Sequence, residues 1–163
     1  MLGIDTSLRS TGVAVVEARG NALAAVEYGT LRIPAGRPLS ECLRHIAEGV
    51  SGIIERTGPQ AVALEGGFFH KNARTAMVLG QARGAAIAIC ARNGLPVYEY
   101  APRRVKQALV GFGGAEKAQV RRMLMSLLAL KEEPQEDAGD ALAIAICHLN
   151  SRSLHPTLMP KAI

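Results

Sequence analysis

The sequence predicts an α/β domain built on a five-stranded mixed sheet with helices on both faces. Two observations predict it. Short apolar runs rich in β-branched residues alternate with longer stretches whose apolar residues recur at helical spacing. The order is three strands, a helix, a strand, a helix, a strand and two helices, which suggests a mixed sheet covered by helices. The chain has 163 residues and shows no internal repeat or linker, so one domain with a single core is expected.

Residues 1–33 read as three strands. Met1-Leu2-Gly3-Ile4 is the first apolar run and Val13-Ala14-Val15-Val16 the second, while Gly20-Asn21 and Gly29 mark turns. Residues 34–38 form a loop between two prolines. Ser40 is the expected N-cap of a helix that carries Leu43, Ile46, Ala47, Val50, Ile53 and Ile54 on one face. Gly58-Pro59 stops that helix, and Ala61-Val62-Ala63-Leu64 is a short buried strand. Residues 66–72 read as a loop. The helix expected over 73–92 is small and apolar nearly all round, and such a helix wants burial on more than one side. Gly94-Leu95-Pro96 leads to a strand over 97–100. Residues 101–114 read as irregular and basic. A helix follows over 115–128, then a polar loop over 131–136, then a last helix over 137–149. Residues 151–163 carry two prolines and no periodicity, so a frayed tail is expected beyond a domain of residues 1–150.

Hydrophobic residues make up 48% and charged residues 20%, which excludes a disordered chain. No apolar run is long enough to span a bilayer, and the N-terminus lacks the regions of a signal peptide. A cytoplasmic, nucleoid-associated location is expected, with no membrane partner. Cys42, Cys90 and Cys147 lie far apart in helical segments and read as small buried hydrophobes. The four His have no ligand spacing relative to them, which argues against zinc. The net charge is +5 although fourteen acids are present. A basic exterior around an acidic pocket suits a polyanionic substrate.

Four of those acids carry the functional argument. Asp5 ends the first apolar run and Glu65 ends the run at 61–64. Asp137 and Asp140 stand three apart at the start of the last helix, so both carboxylates can face one point. Acids are common at helix starts, and each position alone has that ordinary explanation. Brought together, however, four carboxylates repel strongly, and divalent cations are the usual remedy. Two metals about 4 Å apart, clamped by carboxylates, are a recurrent device for cutting phosphodiester bonds.

Other residues suit a nucleic-acid substrate. Lys117 is expected in the first turn of a helix preceded by Gly113-Gly114, where a phosphate meets backbone N–H groups and an ammonium together. Phe68 and Phe69 are two of three phenylalanines and sit beside His70-Lys71, a pattern suited to stacking on unpaired bases. Arg103 and Arg104 are candidates for phosphate contact. Arg121 and Arg122 read as solvated surface charge.

The motifs Leu2-Gly3-Ile4-Asp5, Ala63-Leu64-Glu65, Lys71-Asn72-Ala73, Leu79-Gly80-Gln81-Ala82-Arg83-Gly84, Val105-Lys106-Gln107, Val110-Gly111, Ala115-Glu116-Lys117-Ala118-Gln119-Val120 and the stretch 137–145 occur in that order. Together they resemble the bacterial RuvC-type Holliday-junction resolvases, over residues 1–149. The resemblance implies a ribonuclease H-like fold, with the first three strands antiparallel and the fourth and fifth parallel to the first. It implies an endodeoxyribonuclease that resolves four-way DNA junctions in recombination and repair by paired symmetric nicks, leaving 5′-phosphate ends. By the same resemblance, Asp5, Glu65, Asp137 and Asp140 bind two Mg2+ per subunit, with Mn2+ able to substitute. One ion activates water and the other stabilises the leaving 3′ oxygen. Lys106 and Lys117 fall on positions near the scissile phosphate, Lys71 joins the DNA-binding set, and Phe68 falls on the junction-wedge position. A homodimer packed through the helix at 73–92 and a branch-migration motor complex are the implied partners. Two motifs depart from the family pattern: Thr6-Ser7-Leu8 follows Asp5, and Gly66-Gly67 follows Glu65.

Other readings remain at this stage. One is a ribonuclease H-fold nuclease acting on another branched or RNA-containing substrate. Another is a non-catalytic junction-binding module, against which the four acids and two lysines argue. An ATPase of the sugar-kinase type shares the look of Gly3-Ile4-Asp5-Thr6-Ser7 but needs a second domain and a second Gly-rich loop.

Overall fold

A computed structural model describes residues 1–20, 22–66, 72–152 and 160–163. Strands β1 (Leu2–Asp5), β2 (Ser10–Arg19) and β3 (Ala22–Arg32) form an antiparallel meander. Strands β4 (Val62–Glu65) and β5 (Val97–Tyr100) extend the sheet in parallel with β1, giving the order β3-β2-β1-β4-β5. Helices α1 (Leu39–Thr57) and α2 (Ala73–Arg92) cover one face. Helices α3 (Pro102–Val110), α4 (Lys117–Leu127) and α5 (Glu136–Arg152) cover the other.

The period-two alternation of the strands divides the core into two layers. Leu2, Ile4, Val13, Val15, Val62, Leu64 and Val97 point toward α1 and α2. Ala14, Val16, Ala63 and Tyr100 point toward α3, α4 and α5. The second face is built largely of small residues, and the reason is the approach of α5. A Cβ at Gly3 would stand 2.1 Å from the Ala141 carbonyl oxygen, and one at Gly12 would stand 1.9 Å from the Asp137 carbonyl oxygen. The helix therefore rests on bare strand backbone at two points, where only glycine fits.

Several local expectations are corrected. Helix α1 begins two residues early, with Pro38 rather than Ser40 at the N-cap and no side-chain capping bond, so Ser40 is already inside the helix. The fixed φ of proline presets that start. Residues 102–110 are helical rather than irregular. Pro102 opens α3, and Val105 and Leu109, four apart, bury into the core. Helix α4 starts at Lys117 because Glu116 caps it, in a reciprocal capping box with Gln119. Helix α5 runs past the expected end to Arg152. At the far end of the chain the Ile163 N–H donates to the Val97 carbonyl at 2.9 Å. All three cysteines are free and buried. No helix among the described residues is long and apolar enough to cross a membrane.

The α5 contact predicts a contrast between two glycines. Gly12→Ala forces α5 off the sheet and is expected to cost about 3 kcal/mol or more. Gly29→Ala, where an added Cβ meets nothing within 4 Å, is expected to stabilise by about 0.5–1 kcal/mol. Urea denaturation of the two variants checks both signs.

Candidate active site

Strand register brings the four acids together. In the parallel β1–β4 pair, Ile4 lies opposite Leu64, so Asp5 and Glu65 leave the sheet side by side. In the antiparallel β1–β2 pair, Asp5 lies opposite Gly12. Gly12 is where the first turn of α5 touches the sheet, through the Asp137 carbonyl. That contact places Asp137 and Asp140 over the ends of β1 and β4. All four acids are half-buried.

A cavity of about 250 Å³ opens beside them. Glu65 and Asp140 line it with Lys106 from α3 and Lys117 from α4, over an apolar floor that includes Val105 and Leu124. Asp137 does not line this cavity; its Oδ2 accepts a hydrogen bond from the Ser10 hydroxyl. Asp5 is outside that lining and in electrostatic contact with Asp140, Glu65, Asp137 and Lys117.

The acids hold one another in an unfavourable state. Burial, then the charges of Asp140, Glu65 and Asp137, push Asp5 up from 3.8 to about 7, against the pull of Lys117. Burial and then Asp140 raise Glu65, opposed by Lys117 and Lys106. Burial also raises Asp140; Lys117 opposes, while Glu136 and Asp137 add to the rise. Among the described residues no three His, Cys, Asp or Glu converge into a ready-made metal cage. The donor set is nevertheless all carboxylate oxygen with excess negative charge, which is the chemistry that fits a hard divalent cation.

Both lysines have protein partners. Lys106 Nζ donates to the Ala115 carbonyl at 2.8 Å, and Lys117 Nζ donates to Glu136 Oε1 at 2.5 Å. At the start of α4 a capping box links Glu116 and Gln119, with the Glu116 N–H donating to Gln119 Oε1 at 3.0 Å. Arg103 is exposed and Arg104 half-buried on α3, both outside the cavity lining. Phe68, Phe69 and Lys71 lie outside the described residues.

Several residues of the site escaped the sequence reading. Arg121 lines the cavity and pairs with Glu133 at 2.7 Å, although it reads as surface charge. Glu136 bridges toward Lys117 and, at 4.0 Å, toward Arg121. Arg83 on α2 donates from Nη1 to the Glu65 carbonyl at 2.7 Å and pairs through Nη2 with Glu99 on β5. An arginine inside an otherwise small, apolar helix was the available signal for that contact. Ser10 carried none.

The raised Asp5 predicts a pH-dependent stability. A carboxyl whose folded pKa exceeds its unfolded value leaves the native state holding the extra proton. Stability therefore falls as pH rises from about 4 to about 7 and is level above that. In metal-free buffer at pH 8, Asp5→Asn is expected to melt above the wild type, with the gain shrinking toward pH 4. Mg2+ at pH 8 should raise the wild-type melting temperature more than that of Asp5→Asn.

With this geometry in hand, known proteins supply the remaining comparison. Residues 1–148 match the family described as Crossover junction endodeoxyribonuclease RuvC. The crossover junction endodeoxyribonuclease RuvC of Halorhodospira halophila is 50% identical over 153 residues, covering 94% of this chain and 91% of that protein. The protein of the same name from Citrifermentans bemidjiense is 48% identical over 155 residues, covering 95% and 94%. The solved structure of T. thermophilus RuvC in complex with Holliday junction substrate superposes with a TM-score of 0.91 at 33% identity, covering 99% of this chain and 98% of that one. The sheet order and helix placement are those of the ribonuclease H-like fold. Sequence, fold and the placement of the acids agree: this chain belongs to the RuvC family of crossover junction endodeoxyribonucleases.

Proposed function

We infer that this chain is a metal-dependent endonuclease that resolves four-way DNA junctions by paired symmetric nicks during recombination and repair. The observation that carries the reading is the meeting of Glu65, Asp140, Lys106 and Lys117 on one cavity, with Asp5 in electrostatic contact with both acids. Its relative from T. thermophilus was solved with a Holliday junction substrate. The cell compartment that fits is the cytoplasm, at the nucleoid.

Asp5, Glu65, Asp137 and Asp140 would hold two Mg2+ ions, or Mn2+ in their place. Such a pair supplies an activated water and stabilises both oxygens of an in-line displacement. The chain's own groups do the rest. The register of β1 and β4 fixes Asp5 and Glu65 side by side, and the Ser10 hydroxyl orients Asp137. The ammonium groups of Lys106 and Lys117 face the charge that builds on the scissile phosphate. Water adds to phosphorus, the 3′ oxygen leaves and takes up a proton, and the phosphate stays on the 5′ end. Phe68 is the proposed wedge in the junction, with Phe69 and Lys71 close to it in the sequence. Arg103 and Arg104 are proposed phosphate contacts on the duplex arms.

Two symmetric nicks call for two symmetric sites, which an isologous dimer supplies. The proposed contact is α2. It buries Ala82, Ala86 and Cys90 against its own core and leaves Met77, Gly80, Gly84 and Ala88 outward. An added Cβ at Gly80 or Gly84 meets nothing within 4 Å, so the chain's own packing does not require glycine there. A branch-migration motor complex is the further partner proposed.

The deciding experiment is cleavage of a mobile four-way junction with Mg2+, with linear duplex and an RNA–DNA hybrid as controls. Asp140→Asn or Glu65→Gln should lose at least about a hundredfold in kcat while junction binding survives. Wild-type rates in both variants would remove the metal-site reading. Gly84→Leu should leave the monomer folded, since its side chain enters open space, and should shift sedimentation from dimer to monomer. An unchanged dimer would place the contact elsewhere.

A further inference from the structure

Arg83 is mostly buried, with 14% of its side chain exposed. A buried guanidinium is costly unless its donors are satisfied. Here they are spent in an unusual place. Nη1 donates to the backbone carbonyl of Glu65 at 2.7 Å, and Nη2 binds the Glu99 carboxylate. Glu99 sits on β5 opposite Leu64, one residue back from Glu65 in the register. The Gly66 N–H donates to the Tyr100 carbonyl at 2.9 Å. A Cβ at Gly66 would come within 3.3 Å of the Glu99 side chain. Thus Arg83, Glu99 and Gly66 close around the end of β4.

A carbonyl held in place fixes ψ of its own residue. Fixing ψ of Glu65 fixes the direction of its Cα–Cβ bond relative to the chain that follows. We propose that Arg83 is a positioning residue for strand cleavage. Its fork, braced on Glu99, sets the direction in which the Glu65 carboxylate leaves the sheet toward Asp5 and Asp140. The bracing comes from α2, so the same helix that offers an outward glycine face also holds a metal ligand from behind. This rests on the reading of Glu65 as a metal ligand. Groups that orient a metal ligand typically change metal affinity or activity by about 10–100-fold when removed.

The test separates positioning from simple burial of charge. Arg83→Met alone strands the Glu99 carboxylate and is expected to lower stability. The double variant R83M/E99M removes both charges and leaves an apolar pair, which should return the melting temperature toward the wild type. In that stable double variant, kcat on a four-way junction should remain about 10–100-fold low. Mn2+ affinity measured by calorimetry without DNA should fall by a similar factor. Wild-type turnover and wild-type Mn2+ affinity in R83M/E99M would overturn the proposal and leave Arg83 a structural ion pair. Arg83→Lys gives a second route if the double variant does not fold. A single ammonium lacks the fork that spans both acceptors, so native Mn2+ affinity and turnover in Arg83→Lys would overturn the proposal too. Failure of the functional reading itself looks different. In that case the wild type fails to cut junctions, or Glu65→Gln cuts them normally.

Discussion

Helix α5 rests on the bare backbone of β1 and β2 where Gly3 and Gly12 stand. Side chains at those places would occupy the same space as the carbonyls of Ala141 and Asp137. The contact is possible only because a face of the sheet is lined by small residues, Gly3, Gly12, Ala14 and Ala63, against Ala138, Ala141 and Ala145 on the helix. Sheet-to-helix distance here is a chemical variable. Shortened this far, it carries the first turn of α5 to the mouths of β1 and β4. Two pairs of acids, one from the sheet and one from the helix, then share one small volume.

That proximity works against stability in the absence of cations. Asp5, Glu65 and Asp140 are all held above the usual carboxylate range, by burial first and by one another next. The remainder of the molecule tolerates it because the two core layers are conventional. Leu2, Ile4, Ile46, Leu64, Leu142 and Ile146 are fully enclosed, and each such side chain contributes about 1.5–3 kcal/mol. Stability stored in the layers is drawn down at the site, a common relation between stability and activity.

The strands and the four acids were legible because both signals are local. An acid that closes an apolar run marks the end of a buried strand, and two acids three apart on a helix share a face. Helix α3 was not legible, since nine residues make only about two and a half turns and its three basic residues mask the Val105–Leu109 pair. Ser40 lost to Pro38 because a fixed φ outweighed a capping hydroxyl. The bond from Arg83 to Glu65 spans eighteen residues, and that from Ser10 to Asp137 spans 127. Such pairings depend on strand order and helix docking, which no spacing rule encodes. Arg121 reads as surface charge in sequence because it stands beside Arg122; its cavity is closed by residues of α3, α5 and the end of β4, far off along the chain.

The distance between Asp5 and Asp140 along the chain also has a meaning in time. Synthesis proceeds at about 5–20 residues per second, so on the order of ten seconds separates the two residues as they are made. During that interval the meander of β1, β2 and β3 can pair locally, while the alanine face that receives α5 stays uncovered. The acids of the sheet then have only each other to repel, without the added charge of Asp137 and Asp140. On the proposed reading of the site, its last two acids join the first two only where α5 meets the sheet. On the same reading, any state in which α5 leaves the sheet parts Asp137 and Asp140 from Asp5 and Glu65.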